Sequence, residues 1–408
     1  MKQKILLNLL YFIFPLVSLC FSDFPDPKLI DKEFEMDVFM EYFLPEWNFQ
    51  YLFSENGLRI TAGSLNIKHL NLNEELKLRT LLINNKLWAR FYHKRIETID
   101  NKDFLNEIEF EYSPLNDLYL SFLGTPEFKK YEIDIGWAVR YAKDEGNGLK
   151  LSYILTDFDN NYAFHNDSTV LGFKKFYKNV PKKWRLEIKR DINVLKSYVF
   201  VEYNTKTVYD YEDLTDVTQN YDVENKNYRI DTNINTKIYS DWKLGFDLNL
   251  RKNNDKKDFV SISSSLNENF SSVEKKYILR PYFEKSILEN LTIFSGFSFI
   301  KHIYDITYPN NIINSYNYDK DNMGGFTLFY LNLPQKSLIE FGYLHDNIDW
   351  DKNGVNGNSK ENRLKFGYEY KFNEKSSIKF ITGWDLDRQD WGKFAFFDGG
   401  HVQFQAIF

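Results

Sequence analysis

Apolar and polar side chains alternate with period two over runs of about 9 to 13 residues, and this pattern limits what the chain can fold into more than any other feature. In one run Tyr131, Ile133, Ile135, Trp137, Val139 and Tyr141 interleave with Glu132, Asp134, Gly136, Ala138, Arg140 and Ala142. In a second, Tyr228, Ile230, Thr232, Ile234, Thr236 and Ile238 interleave with Arg229, Asp231, Asn233, Asn235 and Lys237. The same rhythm recurs over Trp242 to Arg251, Arg363 to Tyr370 and Ile378 to Leu386. Side chains on a strand point alternately to opposite faces, so each run is a strand with one greasy and one charged face. Helical periodicity is scarce.

Strand length decides what the greasy face meets. Globular strands average about five or six residues, whereas a tilted strand crossing a bilayer needs about 9 to 11. These runs match the longer figure. Composition agrees: 18% of residues are aromatic, yet 27% are charged and mean hydropathy is -0.49. A bundle of membrane helices is excluded by that polarity. A formal net charge of -6 gives no basic excess of the kind nucleic-acid binding uses, so no nucleic-acid partner is expected. The expected fold is all-β, a single antiparallel transmembrane barrel with apolar residues toward lipid and charged residues toward a wet interior.

Lys2 and Lys4 precede an apolar run from Ile5 to Phe21, and small residues follow near Ser22. This reads as a signal peptide over 1-22, ahead of a membrane anchor or a lipidated Cys20. Cys20 is the only cysteine, so an exported chain has no disulfides and no thiol chemistry. Residues 23-33 read as a short lead-in and 34-408 as the barrel. Turn-prone clusters lie at Asn84-Asn85, Ser113 to Asn116, Asp144 to Gly148, Pro334 to Lys336 and Phe372 to Ser376, and the last predicts a hairpin of 361-371 with 376-386. Longer loops are expected at 158-167, 211-226, 301-322, 347-360 and 387-398. About 22 segments qualify as strands. Discounting the weak 47-53, 117-124 and 206-212 leaves 16 to 20, with 18 as the expected number. Between Tyr239 and Asn290 the turns leave the up-and-down parity inconsistent.

The chain ends His401, Val402, Gln403, Phe404, Gln405, Ala406, Ile407, Phe408. A final strand with Phe404 and the terminal Phe408 resembles that of bacterial outer-membrane β-barrel proteins of the porin-like kind. The resemblance implies residence in the outer membrane, contact with its lipid, and a barrel-insertion machinery that reads this strand. It covers the last strand and, more loosely, the whole alternating pattern. Backbone in lipid must be fully hydrogen-bonded, so the last strand must close on the first, expected near 34-43. The competing fold is a soluble sandwich or small barrel with its apolar face inward. Tyr42, Trp47, Tyr112, Tyr141, Trp242, Tyr370 and Trp384 near strand ends suit the interfacial girdles of a membrane barrel instead.

Chemistry-bearing motifs are sparse. The six histidines have no metal-ligand spacing, no phosphate-binding glycine loop occurs, and neither metal nor cofactor is expected. His345, Asp346, Asp349 and Asp351, and likewise His165 with Ser168, read as solvated loop residues rather than an active site, so no enzymatic activity is expected. Interior charges carry more information. Glu107, Glu109 and Glu111 share a face, as do Lys183, Arg185, Glu187 and Lys189. Arg140, Arg229, Asp231, Asp247, Arg251, Arg363, Lys365 and Lys379 complete the expected lumen-facing set. The function these features imply is passive passage of small hydrophilic solutes, with Tyr304, Tyr308, Tyr316 and Tyr318 of an infolded 301-322 loop as a constriction. The alternatives are a non-conducting surface or adhesion protein, an export-associated barrel, and a barrel enzyme.

Overall fold

The computed structural model describes residues 56 to 408 except for masked stretches within them, chiefly connections between strands, and for Phe408. The expected first strand at 34-43, the weak segment 47-53 and the signal peptide lie outside the described residues. The described strands, in chain order, are β1 (Gly57–Ser64), β2 (Leu70–Ile83), β3 (Leu87–Thr98), β4 (Lys102–Leu115), β5 (Leu118–Thr125), β6 (Asp134–Asp144), β7 (Asn147–Leu155), β8 (Phe173–Asn179), β9 (Lys182–Ile192), β10 (Leu195–Asp213), β11 (Tyr221–Tyr239), β12 (Trp242–Phe259), β13 (Phe270–Leu288), β14 (Leu291–Thr307), β15 (Tyr316–Leu333), β16 (Ser337–Lys352), β17 (Val355–Asn373), β18 (Ser376–Asp385) and β19 (Phe397–Ile407). Every pairing is antiparallel and joins chain neighbours except around β8, where β7 pairs with β9 and β8 with β10, and β19 closes the ring against β1, from Gly57↔Ile407 to Ser64↔Gly400.

Nineteen segments make 18 wall strands. Both β8 and β9 run antiparallel to β10, β8 against Val208 to Asp213 and β9 against Leu195 to Asn204. They are one strand interrupted between Asn179 and Lys182, where Pro181 has no N–H to donate to a ladder. An even count is what lets first and last strands meet antiparallel.

Closure falls at β1, not at 34-43: both edges of β19 are taken, by β18 and by β1. Segments 117-124 and 206-212, weak in sequence, are respectively β5 and the last third of β10. The hairpin of 361-371 with 376-386 is present, turning at Glu374-Lys375. Between Tyr239 and Asn290, where parity was inconsistent, run the two long strands β12 and β13.

Alternation sorts the two faces as the sequence implies. Along β6, Trp137, Val139 and Tyr141 are each 50% exposed while Ala138 and Arg140 are buried. In β17, Phe366 is 47% exposed and Lys365 only 2%. A face that exposes rings and buries charges is the reverse of a soluble fold. Val199, Ile230 and Leu250 depart from this, being apolar, on the outer parity and buried. Packing inside is local: Leu123, Ala138 and Ile154 from β5, β6 and β7 form one small apolar cluster.

The outer face also marks where lipid ends. On β12 it is apolar from Trp242 through Leu244, Phe246 and Leu248 to Leu250, then turns to Lys252, Asn254, Lys256 and Asp258. On β17 it is apolar from Phe372 through Tyr370, Tyr368 and Phe366 to Leu364, then turns to Asn362, Lys360, Asn358 and Asn356. Each apolar stretch covers nine residues of strands 18 and 19 residues long, within the roughly 9 to 11 a tilted crossing needs. The remainder stays paired in the sheet beyond the belt. This overturns the loops expected at 301-322 and 347-360, which are strand apart from the tip between β14 and β15 and the two-residue turn Asn353-Gly354. Most of 211-226 is likewise the end of β10 and the start of β11. Polarity on both faces looks like a loop in sequence, yet above the belt both faces meet water and the ladder continues. The expected loops at 158-167 and 387-398 lie largely outside the described residues.

Tyr282 shows how the wall accommodates bulk. Gly245 on β12 stands opposite Tyr282 on β13, and a Cβ built at Gly245 would fall 2.0 Å from Tyr282 Cζ. The ring therefore lies flat across β12, and Asn233 of β11 donates to its hydroxyl at 3.3 Å. Gly245→Ala evicts the ring and is expected to destabilise the barrel by about 1–3 kcal/mol. Urea unfolding in vesicles checks this. With Tyr282→Ala already present the same glycine change should cost much less.

Candidate functional site

The inner face of the wall is built from long charged side chains that reach over small ones. Glu111 on β4 is fully buried and takes three guanidinium groups: Arg79 Nε at 3.1 Å, Arg90 Nη1 at 3.5 Å and Arg140 Nε at 2.8 Å. Glu109, two residues earlier, accepts from Arg90 at 3.2 Å and Lys150 Nζ at 2.7 Å. Arg185 joins Glu107 and Glu202, each at 2.7 Å. The guanidinium groups also stack: Arg140 lies 3.9 Å from the Tyr119 ring centroid and Arg79 4.1 Å from that of Trp88.

The reach of these pairs is informative. Arg140 and Glu111 have one strand between them, Lys150 and Glu109 have two, and Arg185 and Glu107 have three. Four strand spacings are roughly 19 Å of wall, so a 2.7 Å contact across them requires the sheet to curl tightly over β5 to β7. Five inner positions there are small: Ser121, Gly136, Ala138, Ala142 and Ser152. Small residues leave the space into which the arginines and lysines fold, and the interior along this flank is filled by ion pairs.

A second cluster lies on β16 to β18. Glu340 accepts from Lys365 at 2.9 Å and also from Lys379, which reaches across β17. Gly367 stands between, and a Cβ built there would lie 3.0 Å from a Glu340 carboxylate oxygen. Arg363 pairs with Glu361 at 3.0 Å.

All the singled-out charges on described strands fall on the inner parity, but they do not form one site. Glu107, Glu109, Glu111, Arg140 and Arg185 come together in the first cluster, and Lys365 and Lys379 in the second. Arg229 pairs with buried Asp231 at 2.6 Å, and Asp247 accepts from Asn233. Arg251 is exposed. Arg79, Arg90, Lys150 and Glu340 are central to these clusters and escaped the sequence reading. Their signal was the same alternation, as at Lys150 between Leu149 and Leu151 and at Glu340 between Ile339 and Phe341.

Alternation also divides the proposed acidic group: Asp346 is buried on the inner parity and accepts from Asn322 at 3.1 Å, whereas His345 lies on the outer parity with Asn362 at 2.8 Å. Tyr304 is buried in β14 beside Ile306, with Tyr308 and Tyr318 packed against them, so this part of the expected constriction is wall. His165 and Ser168 lie outside the described residues, as does Phe408. Phe404 is in β19, opposite Ile60 and Ile378. Among the described residues no group of three or more His, Cys, Asp or Glu is placed to hold a metal ion.

A closed antiparallel ring with an apolar outer belt and a charged inner face defines a transmembrane β-barrel of the bacterial outer-membrane type. No family model and no curated protein matches the chain. Among solved structures, OmpT of Vibrio cholerae aligns over 86% of this chain and 96% of its own at 10% identity and a TM-score of 0.37. OprD of Pseudomonas aeruginosa aligns over 87% and 94% at 9% identity and 0.40, and OccK10 of the same organism over 86% and 98% at 9% and 0.40. The class rests on the barrel's own geometry, not on these alignments.

Buried charge clusters fail when one member is removed, because the others stay buried without compensation. Glu111→Ala is expected to lower stability by about 3–5 kcal/mol. Asp321→Ala, which leaves the exposed Lys301 with Asp319, should cost far less. Urea unfolding of the two variants side by side makes the comparison.

Proposed function

We propose that this barrel is a passive channel for small hydrophilic solutes in the bacterial outer membrane. The observation that carries the reading is the closed 18-strand ring whose inner face is charged. A ring of this size leaves room for water unless something fills it. Exposed Arg251 on the inner parity supports open space along β12, opposite in character to the filled flank over β5 to β7. The fixed charges set the field that a passing solute feels. All the tight turns but Asn353-Gly354, together with the start of β1 and the end of β19, lie at one end, which faces the periplasm in barrels of this class. Outer-membrane lipid covers the belt, and β19 with Phe404 is the element an insertion machinery would read.

The second reading is a non-conducting surface protein. It draws support from the paired strands that extend past the belt on β10 to β17 and from the ion pairs that fill one flank. Single-channel recording of the purified, folded protein in potassium chloride separates the two. Stepwise conductance is the expected result, and Arg185→Ala, which unties two glutamates from the filled flank, should raise it. Silent bilayers with folded protein present would discard the channel and leave the surface role.

A further inference from the structure

We infer that the inner wall at the closing seam, where β19, β1 and β2 meet, is the seat of this chain's own segment 34-54, which enters the lumen as a tethered plug. Three short polar side chains stand side by side on that wall. Gln403 on β19 is opposite Thr61 on β1, and Thr61 is opposite Asn73 on β2. All three are on the inner parity, while Ala62 and Val402 beside them are on the outer parity and exposed.

Short polar groups on the wall of an open lumen are wet. Here Thr61 and Asn73 are fully buried, and Gln403 and His401 nearly so. Among the described residues, neither the Thr61 hydroxyl nor either end of the Asn73 amide has a hydrogen-bond partner. The flank over β5 to β7 is different, because its buried groups are long charged chains that satisfy one another. Thr61 and Asn73 are too short to reach across strands in that way. Buried donors and acceptors left unbonded are costly. A hydroxyl, an amide N–H and an amide oxygen at adjacent positions ask for a ligand that both donates and accepts at close intervals. Peptide main chain is such a ligand, with one donor and one acceptor per residue.

The course of the chain says which peptide. Because β1 completes the ring, the residues ahead of it are not needed for the wall. They join the barrel at Gly57, at the tight-turn end and four residues before Thr61. Segment 34-54 is longer than the 19-residue strands of the wall, so from that tether it can run the height of the lumen. Its composition sets it apart as well. From Asp23 to Glu55 there are nine acidic side chains and two basic ones, a larger negative excess than the chain's whole net charge of -6. Apolar residues alternate with Glu35, Asp37 and Glu41. Charge at this density keeps the stretch out of lipid. That leaves the lumen or the periplasm, and the unbonded groups at the seam favour the lumen.

The seat stands on the wall's own chemistry; its consequence, a narrowed lumen, rests on the channel reading. The test is disulfide formation within the full, folded chain carrying Cys20→Ser. Thr61→Cys is combined in turn with Val38→Cys, Tyr42→Cys, Trp47→Cys and Tyr51→Cys, and oxidised with copper phenanthroline. At least one pair should cross-link in most of the protein, seen as a gel shift that reductant reverses. Ala62→Cys, the next residue but on the outer face, should cross-link with none. Asn73→Cys is the second wall position should Thr61→Cys fail to fold, which heat-dependent gel migration reports. Folded protein with no cross-link from either wall position, or with equal cross-linking from Ala62→Cys, overturns the plug. Conductance of the cross-linked sample before and after reduction reports on the channel separately. Conductance that rises on reduction is the expected result. Cross-linked protein that is silent in both states removes the channel and keeps the plug, and conductance without any cross-link does the reverse.

Discussion

Backbone hydrogen bonding in a solvent that offers none is the constraint on which this structure depends. Each strand edge placed in lipid must find a partner, and the only arrangement of strands without an edge is a ring. The pairing of β19 with β1 is therefore not one contact among many. It is the seam that allows every other strand to sit in the membrane, and Gly57↔Ile407 through Ser64↔Gly400 is its full length. The even strand number, the antiparallel order and the tolerance of a proline break between β8 and β9 all follow. At that break β10 pairs with both halves of the interrupted strand, so the wall continues past a residue that cannot donate.

Once the ring is closed, alternation sends half of every strand's side chains inward. The chain meets that demand in two ways. Around Glu109 and Glu111 the charges neutralise one another across several strands, over a floor of alanine, serine and glycine. Arg251 on β12, by contrast, is exposed on the inner face.

Much of this was legible in the sequence because period-two alternation maps directly onto two environments. Strand identity, the inward direction of Arg140 or Lys365, the hairpin through Glu374 and the number of strands all follow from local pattern. Three things were not legible. The first strand of the ring could not be found, because Phe34 to Tyr42 alternates as well as Leu58 to Ala62 does, and only pairing decides. The tops of β14 to β17 read as loops, since a strand with water on both faces loses the alternation that reveals it. The ion-pair clusters were hidden for a different reason: Arg185 and Glu107 are far apart in the chain, and their meeting depends on how sharply the sheet curls between them.

The tall strands β10 to β17 have a consequence for life at a cell surface. Their polar upper parts carry lysines such as Lys252, Lys256, Lys301 and Lys360, each a formal cleavage position for a trypsin-like protease. Such enzymes bind substrate as an unpaired extended segment, and these lysines sit in strands whose backbone is already committed to neighbours. A rim made of sheet in place of loops thus offers basic residues to the surroundings while withholding the main chain beside them.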